Sequence, residues 1–378
     1  MVKRCVAILA LCLAGCASEH KAERAIAVAP EAPSGAIRAR PMLSAPLDAG
    51  KTLSRIVFAS CAQQNEDQSI WSRVAAENAG LVLFIGDNVY GDVRSNDKAL
   101  PELKAAYMRL ADSEAFAELR ANTPVLTMWD DHDMGGNDGG GDYPFKEQSE
   151  KLFEYVWAIG AEDARAQRSG VYGSWIVGEA GREVQIILLD TRFFRSPLKA
   201  TDEMNARGKE RYLPDSDPSK TMLGAAQWAW FAEELKKPAA LRLVVSSIQV
   251  IADGHGWEAW RTLPKERDKL YATIRTSGAK NVVLLSGDRH SAALYRKSGV
   301  LEYPLFEATS SSLNLPASKW RAESGDTYVE PDKTRLGTMY YHANYGLIDI
   351  DWEKGEVALS IRAADGSAVL SESVAISR

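Results

Sequence analysis

Four short apolar runs in this chain each end in residues that can hold a metal ion. Ile56-Val57-Phe58-Ala59 leads into Ser60-Cys61, and residues 81–85 lead into Gly86-Asp87-Asn88-Val89-Tyr90. Residues 125–128 lead into Trp129-Asp130-Asp131-His132-Asp133, and residues 282–285 into Ser286-Gly287-Asp288-Arg289-His290. The runs show little polar alternation, which suits strands buried on both faces. In open α/β sheets ligands bind beyond the carboxyl ends of the strands. Gly-Asp at one or two such ends is ordinary turn chemistry. His and Cys at the same ends are not, so the pattern constrains the fold and marks one site.

Further apolar runs at 184–189 and 243–247 alternate with helix-like stretches at 67–79, 100–121, 145–159, 225–237 and 265–277. That order predicts an α/β fold with largely parallel sheets. Residues 347–352 and 357–362 read as a hairpin turning at 353–356, and the polar stretch 197–223 as an irregular surface insertion.

The N-terminus reads as an export signal. Lys3 and Arg4 precede an apolar run at 5–13 that is too short to span a bilayer. Leu13-Ala14-Gly15-Cys16 resembles a bacterial lipobox, so residues 1–16 are expected to end in a lipidated Cys16 that anchors the protein to a membrane. No twin Arg is present, and Ala17-Ser18 after the Cys suit sorting to the outer membrane of a Gram-negative bacterium, facing the periplasm. Residues 17–52, broken by Pro30, Pro33, Pro41 and Pro46, are expected to form a flexible tether. Residues 53–378 are then one folded domain. Cys5, Cys12 and Cys16 belong to the signal, which leaves Cys61 without a disulfide partner. It is either a small buried hydrophobe or a metal-held thiolate. With 45 Lys and Arg against 51 Asp and Glu, net −6, no nucleic-acid partner is expected. The sequence does not define an oligomeric state.

Cys61, Asp87, Tyr90, Asp131, His132, Asp288 and His290 offer more donors than one zinc ion needs. A thiolate and a phenolate favour a soft or redox-capable ion, and carboxylates a harder one. Two metals sharing a bridging carboxylate are the recurring arrangement of phosphate hydrolysis, in which one makes hydroxide from water and both neutralise phosphate oxygens.

The Asp130-to-Asp133 run, Gly86-Asp87 and Gly287 to His290 resemble motifs of the calcineurin-like metallophosphoesterases. Ser-Cys after the first strand, Gly-Asp-Asn-Val-Tyr, Trp-Asp-Asp-His and Gly-Asp-Arg-His, in this order over about residues 55–362, are similar to the alkaline phosphatase D family. The resemblance implies a four-layer α/β/β/α metallophosphoesterase sandwich, phosphodiesterase and phosphomonoesterase activity on small phosphate esters, and Fe3+ with Ca2+, zinc or manganese being the other candidates. It implies that Cys61 and Tyr90 hold iron and that Asp87 bridges the metals. Asp131, where the broader superfamily has Asn, would bind the second metal, with Asp288 and His290 completing the shells. Asn137 would be a further calcium ligand, His132 the general acid, and Arg289 a phosphate contact. A narrower phospholipase- or nucleotide-type phosphodiesterase, or a metal- or phosphate-binding lipoprotein without turnover, are the alternatives.

Other features carry plainer readings. The Gly-rich run 135–142 lacks EF-hand spacing and is expected to be a flexible flap beside the site. His255 follows a buried strand, with a pocket role and a structural role equally open, and Trp257 and Trp260 could line the pocket. His342, and the stripe Trp228, Trp230 and Phe231, are expected to serve packing.

Overall fold

The computed structural model describes residues 38–377. The expected signal (1–16) and most of the expected tether lie outside them. In chain order the strands are β1 (Arg55–Ala59), β2 (Leu81–Ile85), β3 (Val125–Met128), β4 (Gly173–Val177), β5 (Val184–Leu189), β6 (Leu241–Ser246), β7 (Val282–Ser286), β8 (Ala292–Lys297), β9 (Leu305–Thr309), β10 (Arg335–Tyr340), β11 (Asn344–Asp351), β12 (Glu356–Ala363) and β13 (Ala368–Ala375). The α-helices are α1 (Ile70–Ala76), α2 (Pro101–Ala111), α3 (Glu114–Asn122), α4 (Asp131–Met134), α5 (Lys146–Val156), α6 (Gly224–Glu234), α7 (Pro264–Ser277) and α8 (Ser318–Ser324).

Two sheets run in the orders β13-β12-β11-β1-β2-β3 and β10-β8-β9-β7-β6-β5-β4. Alternate residues of each central strand enter different cores. Ile56 and Phe58 of β1 meet Leu83, Ile186, Leu243 and Leu285 in the layer between the sheets. Val57 and Ala59 face outward onto a layer with Trp71, Tyr107, Phe116 and Phe153 of α1, α2, α3 and α5. Ile187, Val244 and Leu284 of the other sheet face Trp228, Phe231, Leu270 and Ile274 of α6 and α7. This is the expected α/β/β/α sandwich, and burial on both faces explains why these strands lack polar alternation.

Four expectations need correction. The sheets are parallel only at their centres: β1-β2-β3 and β5-β6-β7-β9 pair parallel, while β11, β12, β13, β8, β10 and β4 pair antiparallel. The expected helix at 100–121 is two helices. Ser113 adopts an extended backbone and its Oγ accepts from Phe116 N, so a new helix starts there and Phe116 turns onto Trp71. The packed part also reaches back into the expected tether. Met42 is buried, its N–H donates to Val156 O at 2.7 Å, and Ala45 N donates to Arg120 O. His342, expected to pack, is exposed, with the Tyr340 ring 5.4 Å from its own. The hairpin of β11 and β12 and the irregular 197–223 segment follow expectation. Among the described residues no helix is long and apolar enough to cross a membrane.

Candidate metal centre

Parallel pairing of β1, β2 and β3 sets their carboxyl ends side by side, and β7 of the facing sheet ends at the same place. Two glycines permit the approach. A Cβ on Gly287 would lie 2.7 Å from Ser60 Cβ across the sheets. A Cβ on Gly86, at φ +111°, would lie 2.8 Å from Asp130 Cβ. Leu313 N donates to Ser60 O at 2.8 Å and Gly287 N to Ser247 O at 2.9 Å, which stitches the strand ends together.

Cys61, Asp87, Asp288 and His290 all have positive φ, at 56°, 49°, 69° and 51°. Left-handed backbone at a residue with a Cβ costs roughly 1–3 kcal/mol and gathers at functional sites. Here it turns four side chains inward.

Cys61 Sγ lies 3.5 Å and Tyr90 Oη 3.2 Å from Asp87 Oδ2, and donor atoms of Cys61, Asp87 and His290 lie within 4.8 Å of one another. Asp87, Asp131 and His132 form a second such group, and Asp130, Asp131 and Asp288 a third. Asp87 therefore belongs to both of the first two, and its Oδ1 is buried with no partner among the described residues. His290 Nδ1 faces Leu315 O at 2.7 Å, which leaves Nε2 for a ligand.

The charges are out of balance. Burial, and then the carboxylate of Asp87, push the Cys61 thiol and the Tyr90 phenol well above their ordinary range. Burial, and then Asp131, push Asp87 up; burial, and then Asp130, push Asp288 up. Burial lowers His290 to about 4. Asp131 falls below the carboxylate range because His132 and Arg192 together outweigh its burial. These acids and this neutral imidazole suit cations, which would favour every deprotonated donor at once. The donor set and the orphaned Asp87 oxygen therefore fit a metal site.

His132 lines the cavity, and its Nδ1 sits 2.6 Å from Asp92 Oδ1. Burial disfavours its charged form, but Asp131, Asp87 and Asp92 outweigh that and raise it well above the usual value. Asn137 stands exposed at the cavity wall. Arg289 lines the same cavity, but its Nη2 pairs with Glu330 Oε2 at 2.9 Å.

Several residues at the site carry no strand-end signal. Ser311 Oγ lies 3.0 Å from Cys61 Sγ and accepts from His290 N at 2.7 Å. Its cue is the serine run 310–312 after an apolar stretch. Arg192 is fully buried and pairs with Asp130 and Glu258, with Nη2 4.0 Å from Asp288 Oδ1. Asp130 is thereby taken up by Arg192, and by Ser247 Oγ at 2.6 Å. Asp133 accepts from the N–H groups of Asn88 and Asp130 and from Tyr107 Oη, so it braces the loop.

The Gly-rich run is anchored rather than a free flap. Arg195 donates to Asp138 O and Gly139 O, and Asp138 Oδ2 accepts from Arg211 and Tyr212. His255 is structural: it is fully buried, with Nε2 2.9 Å from Gln249 Oε1 and Nδ1 accepting from Trp257 N. Trp257 lines the cavity and Trp260 is core. Trp228 and Phe231 pack as expected.

The family profile described as PhoD-like phosphatase matches residues 56–360. Alkaline phosphatase D of Bacillus subtilis (strain 168) is 24% identical over 278 residues, which cover 62% of this chain and 45% of that protein. The chain thus spans under half the length of that relative. The solved structure of PhoD superimposes with a TM-score of 0.63 at 18% identity, covering 88% of this chain and 70% of the other. Purple acid phosphatase PPD1 from seeds of yellow lupin (Lupinus luteus) gives 0.53 at 10% identity, over 87% and 55%.

Proposed function

Because the chain belongs to the PhoD-like phosphatase family, we propose that it is a metal-dependent hydrolase of phosphate mono- and diesters working at a two-metal site. The observation that carries this is Asp87, placed within both the Cys61–His290 group and the Asp131–His132 group with one oxygen unpartnered. Cys61, Tyr90 and His290 would hold the softer ion, proposed as iron. Asp131 and Asp288, with Asn137, would hold the harder one, proposed as calcium, with zinc or manganese as the other candidates. Bound there, such ions neutralise phosphate oxygens and make water nucleophilic at ordinary pH.

The remaining work falls to the chain. The left-handed turns at Cys61, Asp87, Asp288 and His290 hold the donors in place before a metal arrives. Arg192 compensates part of the acidic charge from beneath. His132, oriented by Asp92, holds a proton beside the cluster and can give it to a departing alkoxide.

The test is hydrolysis of bis(p-nitrophenyl) phosphate before and after chelation, with iron, calcium, zinc and manganese returned singly and in pairs. Activity lost on chelation and restored by a pair of metals supports the reading. Turnover that survives exhaustive chelation refutes it.

We also propose that a lipid on Cys16 tethers the enzyme to the outer membrane, facing the periplasm; the Leu13-to-Cys16 motif supports this. The parent should incorporate radiolabelled fatty acid and Cys16→Ser should not; equal labelling of the two, or no label on the parent, would sink the proposal.

A further inference from the structure

The metal cluster occupies only part of a cavity of about 570 Å³. Arginines 207, 211, 289 and 321 line the rest of it, each set against an aromatic ring. Three of them are neutralised: Arg211 by Asp138 at 3.0 Å, Arg289 by Glu330 at 2.9 Å and Arg321 by Asp326 at 2.9 Å. Arg207 has no carboxylate and no hydrogen-bond acceptor among the described residues; its guanidinium carbon lies 4.3 Å from the Tyr328 ring centroid.

The backbone that presents Arg207 is fixed although irregular. Gly208 N donates to Glu210 Oε1 at 2.8 Å and Asn205 N to Glu210 O at 2.8 Å. Glu210 in turn accepts from Gly256 N, which ties the insertion to the segment bearing Trp257. A guanidinium stacked by its face keeps its N–H edge free for a planar or tetrahedral anion. Beside the cluster the same cavity offers a flat apolar surface: Trp320 lines it, is 41% exposed and stands edge-on to His290 at 5.1 Å.

We propose that this wall is a second anion subsite, in which Arg207 on Tyr328 binds a charged group carried by the organic part of the substrate while Trp320, beside His290, packs against that organic part. The inference rests on the phosphoesterase reading, which places the scissile phosphate at the metal cluster. The class it selects is the phosphate ester with a flat organic moiety and a second anion, of which a nucleoside bisphosphate is the simplest probe. A cavity whose other arginines are already paired discriminates through Arg207, the one arginine of its lining unpaired among the described residues.

Competition by adenosine 3′,5′-bisphosphate and by adenosine 5′-monophosphate against bis(p-nitrophenyl) phosphate, read from initial rates of the metal-loaded full chain, tests this. The bisphosphate should bind about tenfold more tightly. Arg207→Ala should remove that advantage and move the monophosphate by less than about twofold, and Arg207→Lys should keep part of it. Trp320→Ala should weaken both nucleotides. Equal affinities in the parent, or an Arg207→Ala loss equal for both ligands, would overturn the subsite. Failure of the parent reading shows separately, as wild type that hydrolyses no phosphate ester with any metal.

Discussion

His132 Nδ1 lies 2.6 Å from Asp92 Oδ1, so the carboxylate fixes the orientation of the ring. Both partners are partly buried, with 15% and 24% of their side chains exposed. That pairing holds the ring still and stabilises its charged form, as a proton donor requires.

If His132 supplies the leaving-group proton, its loss must depend on the leaving group. p-Nitrophenolate departs without a proton, whereas an alkoxide does not. His132→Ala should cut turnover of an alkyl phosphodiester by about 10²–10⁴-fold and that of the p-nitrophenyl ester far less. Asp92→Asn should show the same asymmetry at smaller size, with metal content unchanged. Equal losses on both esters would remove proton donation from the role of His132.

Thiolate and phenolate donors to iron absorb visible light. The iron-loaded protein should be coloured, and Cys61→Ser and Tyr90→Phe should each shift and weaken the band, since both side chains reach Asp87 Oδ2. A colourless protein with full activity would point to zinc or manganese instead. Absorption spectra alongside elemental analysis decide between them.

Much of the site was legible because one rule carried it. Strand ends bring Cys61, Asp87, Asp131 and Asp288 together whatever the loops do, and His132 and His290 lie in the same groups of donor atoms. Asp92 was not legible, since an Asp two residues beyond Tyr90 looks like any loop carboxylate until His132 is seen to face it. Arg192 and Glu258 were hidden for another reason. They lie 66 residues apart, and a fully buried ion pair has no periodic signature. Beyond the β11–β12 hairpin, the antiparallel edges are not legible because β8, β10 and β13 are short or mixed in polarity, and only pairing reveals their direction. The helix break at Ser113 did have a cue, a Ser followed by Glu, which the longer apolar pattern across 100–121 masked.

The sheet-to-sheet approach at the centre depends on Gly287. Its φ is not in the left-handed region, so the constraint is room alone: a Cβ would press on Ser60 Cβ at 2.7 Å. Gly287→Ala should therefore push the β7 end away from β1, lower the melting temperature and weaken metal binding together. Gly278→Ala has nothing within 4 Å of the added carbon, and Gly278 serves as the helix C-cap of α7 at φ +71°. It should cost some stability and leave metal affinity alone. Comparable metal affinities in the two variants would show that the approach at Gly287 is not what positions Asp288.

Away from the metals, Glu150 gives the fold a pH dependence of its own. It is buried under the turn at Gly170, whose N–H it accepts, and burial raises its pKa to about 7. An unfolded Glu titrates near about 4.3. Between those two values the folded chain binds the extra proton, so stability falls as pH rises through that window and levels off above it. Glu150→Gln keeps an acceptor oxygen for Gly170 and removes the charge. Its melting temperature should exceed that of the parent at pH 8, and the gap should close as pH falls toward 4.5. Melting curves of the two proteins across that range would count against the assignment if the gap were constant, or if it widened toward acid.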